Sequence, residues 1–175
     1  MSFYSQIITA PHVLIPKKEL RSGQDVAKEC IALQRKVQKL FGGSLAILQI
    51  DTGSSNAEEH ELAALTNPYY DIERYGIHFV SSPRHADLLI ATGAVSRNMQ
   101  HALKATYEAM PDPKIVVAFG DAAIDGGIYK GSYAVLDGVH NVIPVNFQIP
   151  GNPPTPRQTI AALLGMLKIV ERGRH

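Results

Sequence analysis

Residues 45–61 read LAILQIDTGSSNAEEHE. Leu45 to Ile50 is a short apolar run, preceded by Gly42 and Gly43 and closed by Asp51, as expected of a strand buried on both faces of a parallel sheet. A polar turn with one glycine follows, and then an acidic segment that begins a helix predicted over roughly residues 57–66. Asp87 to Thr92 and Lys114 to Gly120 repeat the apolar form, and Val142 to Phe147 is a further candidate strand despite Pro144.

Helices fit around these strands. Ser22 followed by Asp25 resembles a helix start, and Val26, Cys30, Leu33, Val37 and Leu40 then recur at steps of three or four, predicting one long amphipathic helix to about Phe41. A second spans about 96–109 with Ser96 as its cap and Met99, Leu103 and Met110 turned inward. The last begins at Thr155, with Pro156 at the first helical position and Gln158 completing a capping box. Ile160, Leu163, Leu167 and Val170 form its apolar stripe.

Strands alternating with helices indicate an α/β fold, a flavodoxin-like doubly wound parallel sheet. In such sheets the loops leaving the carboxyl ends of the strands converge on one crevice. Here they are residues 51–58, 93–96, 120–127 and 148–155.

A chain of 175 residues suits one such domain, read as residues 22–175 behind an arm of residues 1–21. The arm has no helical periodicity, yet Phe3, Tyr4, Ile7, Ile8, Val13, Leu14 and Ile15 are too apolar to rest in water, so docking on a partner or a membrane edge is expected. A net charge of +1 offers no basic field for nucleic acid, and no apolar run is long enough for a membrane span. The N-terminal residues lack the pattern of a secretory signal, which predicts a cytoplasmic location. Cys30, the only cysteine, can pair with no other in the chain and reads as a small buried apolar residue.

Four stretches carry a family resemblance: DTGSSNAEEHE, ALTNPYYDIERYGIHFVSSPRHADLLIATGAVSRNM, AMPDPKIVVAFGDAAIDGGIY and VIPVNFQIPGNPPTP, within about residues 44–168. They resemble the small-subunit family shared by energy-converting, membrane-bound nickel–iron hydrogenases and respiratory complex I, specifically its cluster-bearing 20 kDa subunit. In the hydrogenase-like branch the first loop holds a cysteine pair, the third reads Gly-Asp-Cys and the fourth Pro-Gly-Cys-Pro-Pro. Laid on that pattern, the four cluster positions are Ser55, Glu58, Ala122 and Asn152. Iron–sulfur clusters are held by soft thiolates, whereas Ala122 has no donor and the other three offer hard or neutral oxygens. The resemblance therefore implies a degenerate member without a 4Fe–4S cluster or other predicted cofactor. It would be a non-catalytic structural subunit beside a hydrogenase-like or complex-I-like large subunit, with the arm on membrane subunits at the inner face of the cell membrane. Two alternatives stand beside it. One is an enzyme or binding protein that reuses the crevice for a metal, flavin or small anion, and the other is a free-standing regulatory or assembly module.

Other signals have plainer readings. Asp51-Thr52-Gly53-Ser54 mimics an aspartic protease signature but has no second copy with which to share a proton. The Thr-Gly-Ser-Ser-Asn loop could cradle a phosphate through its amides, although a short glycine loop is weak support. Glu58, Glu59, His60 and Glu61 are best accounted for as acids favoured at a helix N-terminus, with metal binding as the rival reading. Glu61 matches an acidic family position near the large subunit, implying a proton-path or packing role. Asp121 and Asp125 are expected to cap backbone amides or meet a partner. Tyr70 and Arg74 lie in an aromatic and charged segment that suits an interface or a locally packed surface turn equally, and the resemblance implies contact with a large subunit. Lys168, Arg172, Arg174 and His175 read as a solvated helix end.

Overall fold

The computed structural model describes residues 12–13 and 23–173. Its sheet is wholly parallel and contains β1 (His12–Val13), β2 (Leu45–Asp51), β3 (Ile77–Phe79), β4 (Leu88–Thr92), β5 (Ile115–Phe119) and β6 (Phe147–Ile149), in the order β1-β6-β5-β4-β2-β3. Counting from β2 as the first strand, the five strands after β1 run 2-1-3-4-5, the flavodoxin-like order. The direction of travel reverses between β2 and β4, the topological switch point of the sheet.

Every residue of β4 and β5 is buried, which explains their unbroken apolar character. Successive side chains point to opposite faces. Ile47, Leu88, Ile90, Val117 and Phe147 meet helices α1 (Gly23–Phe41) and α5 (Pro156–Gly173) on one side. Leu48, Leu89, Ala91, Val116 and Ala118 pack with Leu103 of α3 (Gln100–Ala109) on the other. The α1 stripe and the α5 stripe lie in the first of these cores, Leu33, Val37, Ile160, Leu163 and Leu167 being fully buried. Cys30 is buried with them, and that burial, reinforced by Glu29, pushes its thiol up to about 11.

Several boundaries differ from the sequence reading. The strand expected at residues 142–147 is displaced to Phe147–Ile149, because Val142 and Ile143 turn back on Val139 and Pro144 offers no N–H. Pairing begins where the Asn146 amide donates to Val116 and its side-chain oxygen accepts from the Val116 N–H at 2.7 Å. The three-residue β3 was not expected at all. Helix α3 begins at Gln100, four residues later than predicted, since Ser96 is held in an antiparallel bridge with Val135. Its hydroxyl still accepts from the Met99 N–H at 3.3 Å.

At α5 the capping box forms. The Thr155 N–H donates to Gln158 Oε1 at 2.8 Å, and the Gln158 N–H to Thr155 Oγ1 at 3.4 Å. The arm reading for residues 1–21 lies outside the described residues except at His12 and Val13, which pair with Phe147 and Gln148 at the sheet edge. Of the basic tail, Arg174 and His175 also lie outside them.

Candidate functional site

The loop after β2 is built by its own first carboxylate. Asp51 Oδ1 accepts the N–H groups of Gly53 and Ser54, each at 2.8 Å, and the Ser54 hydroxyl accepts the Asn56 N–H at 2.9 Å. The protease-like Asp-Thr-Gly-Ser is thus a capped turn. The Gly53 and Ser54 amides, two of those that might have cradled a phosphate, are occupied by it. Buried Thr52 ties this turn to the next strand, donating from its hydroxyl to the carbonyls of Thr92 at 2.8 Å and Gly93 at 3.0 Å. Gly93 has φ +75°, and a Cβ there would lie 2.3 Å from the Ser54 nitrogen. Only glycine lets the two loops pass at this distance.

Helix α2 (Ala57–Ala64) follows after Asn56, whose φ of 68° turns the chain in. Its two first acids diverge. The Glu59 carboxylate is pinned from both sides: Ser54 Oγ donates to Oε2 at 2.6 Å and Thr92 Oγ1 to Oε1. Glu58 is directed into the protein, 3% exposed, and lies over Gly120, where a Cβ would fall 2.9 Å from Oε1. Its Oε2 is buried without a hydrogen-bond partner. Burial raises the Glu58 pKa, with Glu59, Asp51 and Asp121 adding to the rise.

The third loop is the short helix α4 (Asp121–Asp125). It is clamped to the fourth by reciprocal contacts, Asp121 N–H to Gly151 O at 2.8 Å and Gly151 N–H to Asp121 Oδ1 at 2.9 Å. Asp125 faces away, accepting the Gly127 N–H at 3.0 Å and pairing with Lys130 at 3.1 Å. The Gly127 bond and then the Lys130 contact hold its carboxyl below the usual range.

Between these loops lies a small crevice, part of it open to solvent, lined among others by Ser55, Glu58, Asp121, Ala122 and Asn152. All four positions assigned from the family pattern therefore meet in one place. Glu61, Asp125, Tyr70 and Arg74 are not in that lining. Tyr70 packs beside the α1–α5 core and edge-on to Tyr69, while Arg74 pairs with Asp71 at 2.6 Å. The residue whose role sequence reasoning missed is Glu59, read only as one of the acids at a helix N-terminus. Its one signal was a serine five residues before it in the same loop.

The lining does not fit an iron–sulfur cluster. It offers a hydroxyl, a carboxylate, an amide and a methyl group where four thiolates are needed, and Cys30 is in the α1 core. Among the described residues no group of three or more His, Cys, Asp and Glu side chains is placed to hold a metal ion. On one side the crevice is edged by exposed apolar side chains: Ile128 is 83% exposed and Tyr129 45%, with Tyr133, 89% exposed, further along the chain and outside the lining. Among the described residues no helix is long and apolar enough to cross a membrane.

Known proteins share this architecture. The family described as NADH ubiquinone oxidoreductase, 20 kDa subunit, matches residues 56–166. The chain is 36% identical over 152 residues to formate hydrogenlyase subunit 7 of Escherichia coli K12, covering 87% of this chain and 58% of that one. It therefore spans little more than half the length of that relative. It is 37% identical over 134 residues to the probable membrane-bound hydrogenase subunit mbhJ of Pyrococcus furiosus, covering 77% and 78% of the two chains. Among solved structures, a chain of the membrane-bound sulfane sulfur reductase, an archaeal respiratory membrane complex, superposes with a TM-score of 0.67 at 32% identity, covering 83% of this chain and 77% of that one. With this fold, and with a match over more than half of its length, the chain belongs to the family of the 20 kDa subunit of NADH–ubiquinone oxidoreductase.

Proposed function

We propose that the chain is a non-catalytic structural subunit of a membrane-associated, hydrogenase-like or complex-I-like assembly, and that it carries no iron–sulfur cluster. The observation that carries this reading is the meeting of Ser55, Glu58, Ala122 and Asn152 in one crevice without a thiolate. The fold that presents a cluster is kept, while the donors that would bind iron are replaced. Electron transfer belongs to the cluster and not to the scaffold, so its loss leaves the interface as what the chain supplies.

The relatives support the setting. Two of them are named for a formate hydrogenlyase and a membrane-bound hydrogenase, and the structural relative is part of a respiratory membrane complex. The partner is a large subunit seated on the crevice rim. Ile128 and Tyr129 supply apolar area there, with the exposed Tyr133 four residues beyond Tyr129, and exposed apolar and aromatic side chains of this kind mark interaction sites. Glu61, Tyr70 and Arg74 belong to the same proposed contact, with Glu61 in a proton-path or packing role. The subunit lies peripherally on the inner face of the membrane, with the arm reaching membrane subunits.

A tagged copy of the chain, recovered from gently solubilised membranes of its native host, tests this. Co-purification of a hydrogenase-like large subunit with multispan membrane proteins is expected. Recovery of the chain alone from the soluble fraction would overturn the reading in favour of a free-standing module.

A further inference from the structure

We propose that the crevice is a binding site for a hard divalent cation of the magnesium and manganese class, with Glu58 as its central ligand and Ser55, Asn152 and Asp121 as further oxygen donors. This rests on the cluster-free reading, since a cluster and a cation would compete for one space.

Geometry and charge carry the argument. The lining holds two carboxylates, Glu58 and Asp121, and no lysine, arginine or histidine. Asp51 and Glu59 stand close enough to act on Glu58 through their charge. The partners that hold those neighbours are hydroxyls and amides, which fix their positions without cancelling their charge: Ser54 and Thr92 on Glu59, Gly53 and Ser54 on Asp51, Gly151 on Asp121. Glu58 alone of the four has a buried oxygen without a partner. A buried carboxylate is costly unless paired or bound to a metal. An anion is the wrong occupant, because the surrounding carboxylates repel it and the Gly53, Ser54 and Gly151 amides already serve Asp51 and Asp121.

The donor set also selects the class of cation. Carboxylate, hydroxyl and amide oxygens are hard ligands, suited to magnesium, calcium or manganese and unsuited to soft metals. Magnesium-like ions keep several of their waters and are bound through only one or two carboxylates, so a full cage of acidic residues is not required. The crevice among the loops after β2, β5 and β6 is partly open, so the remaining waters of such an ion can face solvent. Glycine at position 120 makes the arrangement feasible, because any Cβ there would displace the Glu58 carboxylate.

The test uses the full chain, stripped with EDTA and titrated with Mn²⁺, following free Mn²⁺ by electron paramagnetic resonance. A single saturable site is expected. Glu58→Gln, which keeps the side-chain shape, should weaken it by about tenfold or more, with smaller losses in Ser55→Ala and Asn152→Ala. Glu108→Gln, exposed on α3, should bind as the unaltered chain does. Absence of saturable binding, or equal binding by Glu58→Gln, would overturn the proposal. Should Glu58→Gln fail to fold, Ser55→Ala and Asn152→Ala decide it, and unchanged affinity in both is the contrary result. Iron and acid-labile sulfide are measured on the same sample. A stoichiometric cluster would overturn both this site and the cluster-free reading, whereas neither iron nor a manganese site would overturn this inference alone.

Discussion

Glu58 and Glu59 are neighbours in sequence with opposite fates, and the difference is made by hydroxyls. Ser54 and Thr92 grip Glu59, so it stabilises the loop that carries it. Glu58 is buried with one oxygen unpartnered, and burial together with Glu59, Asp51 and Asp121 raises its pKa above the ordinary 4.5. A carboxyl that holds its proton more tightly when folded contributes full stability below about pH 4.5 and loses that contribution as pH rises through the folded value. Glu58→Gln should therefore match the unaltered chain in acid and exceed it at neutral pH by about 1–3 kcal/mol, the range for an unsatisfied buried polar group. Thermal unfolding in EDTA between pH 4 and 8 reads this, and a parallel pair of curves would contradict it. The sequence told only part of this. The convergence of four loops was legible from the strand pattern, but which acid is gripped and which is buried depends on Thr92, a residue of another strand.

At the scale of elements, legibility followed length and burial. Strands β2, β4 and β5 were read to within a residue at their ends because each is a continuous apolar run between turn residues. The edge strand β3 escaped notice, since its three residues include a polar His78 and follow an aromatic turn. Residues 142–147 misled because alternating valine, isoleucine and phenylalanine outweighed Pro144, which in fact delays the strand to Phe147. Capping was fully legible at α5. Thr155→Ala should destabilise the chain by about 1 kcal/mol, lowering the midpoint of thermal unfolding by roughly 2–4 °C. What local pattern could not show is how α5 is tied to α1, where Glu171 is held by Lys36 and by Lys39, the latter at 2.6 Å. These hydrogen bonds, Lys36 first, lower the Glu171 carboxyl from 4.5 to about 2. Its contribution is present above pH 4.5 and is lost as pH falls toward 2, so Glu171→Gln should flatten the acid limb of the stability curve in that window. An acid limb unchanged by Glu171→Gln would show that other carboxylates govern it.

As a whole molecule, the chain combines a parallel sheet, a crevice at its carboxyl end and exposed apolar side chains beside that crevice, the features from which the proposed subunit role is argued. Under the proposed reading, what the chain supplies is an interface and not electron transfer. Replacing Ile128 and Tyr133 with serine should cost little stability, because both side chains are mostly exposed, yet should sharply reduce recovery of the large subunit with the tagged chain. Equal recovery would move the contact elsewhere. The central claim is that the crevice among the loops after β2, β5 and β6 holds no iron–sulfur cluster. The measurement that bears on it most directly is iron and acid-labile sulfide per chain, determined on the assembly purified without oxygen and resolved into its subunits. The account predicts neither element above background in this subunit, and about four of each per chain, the content of a four-iron cluster, would contradict it.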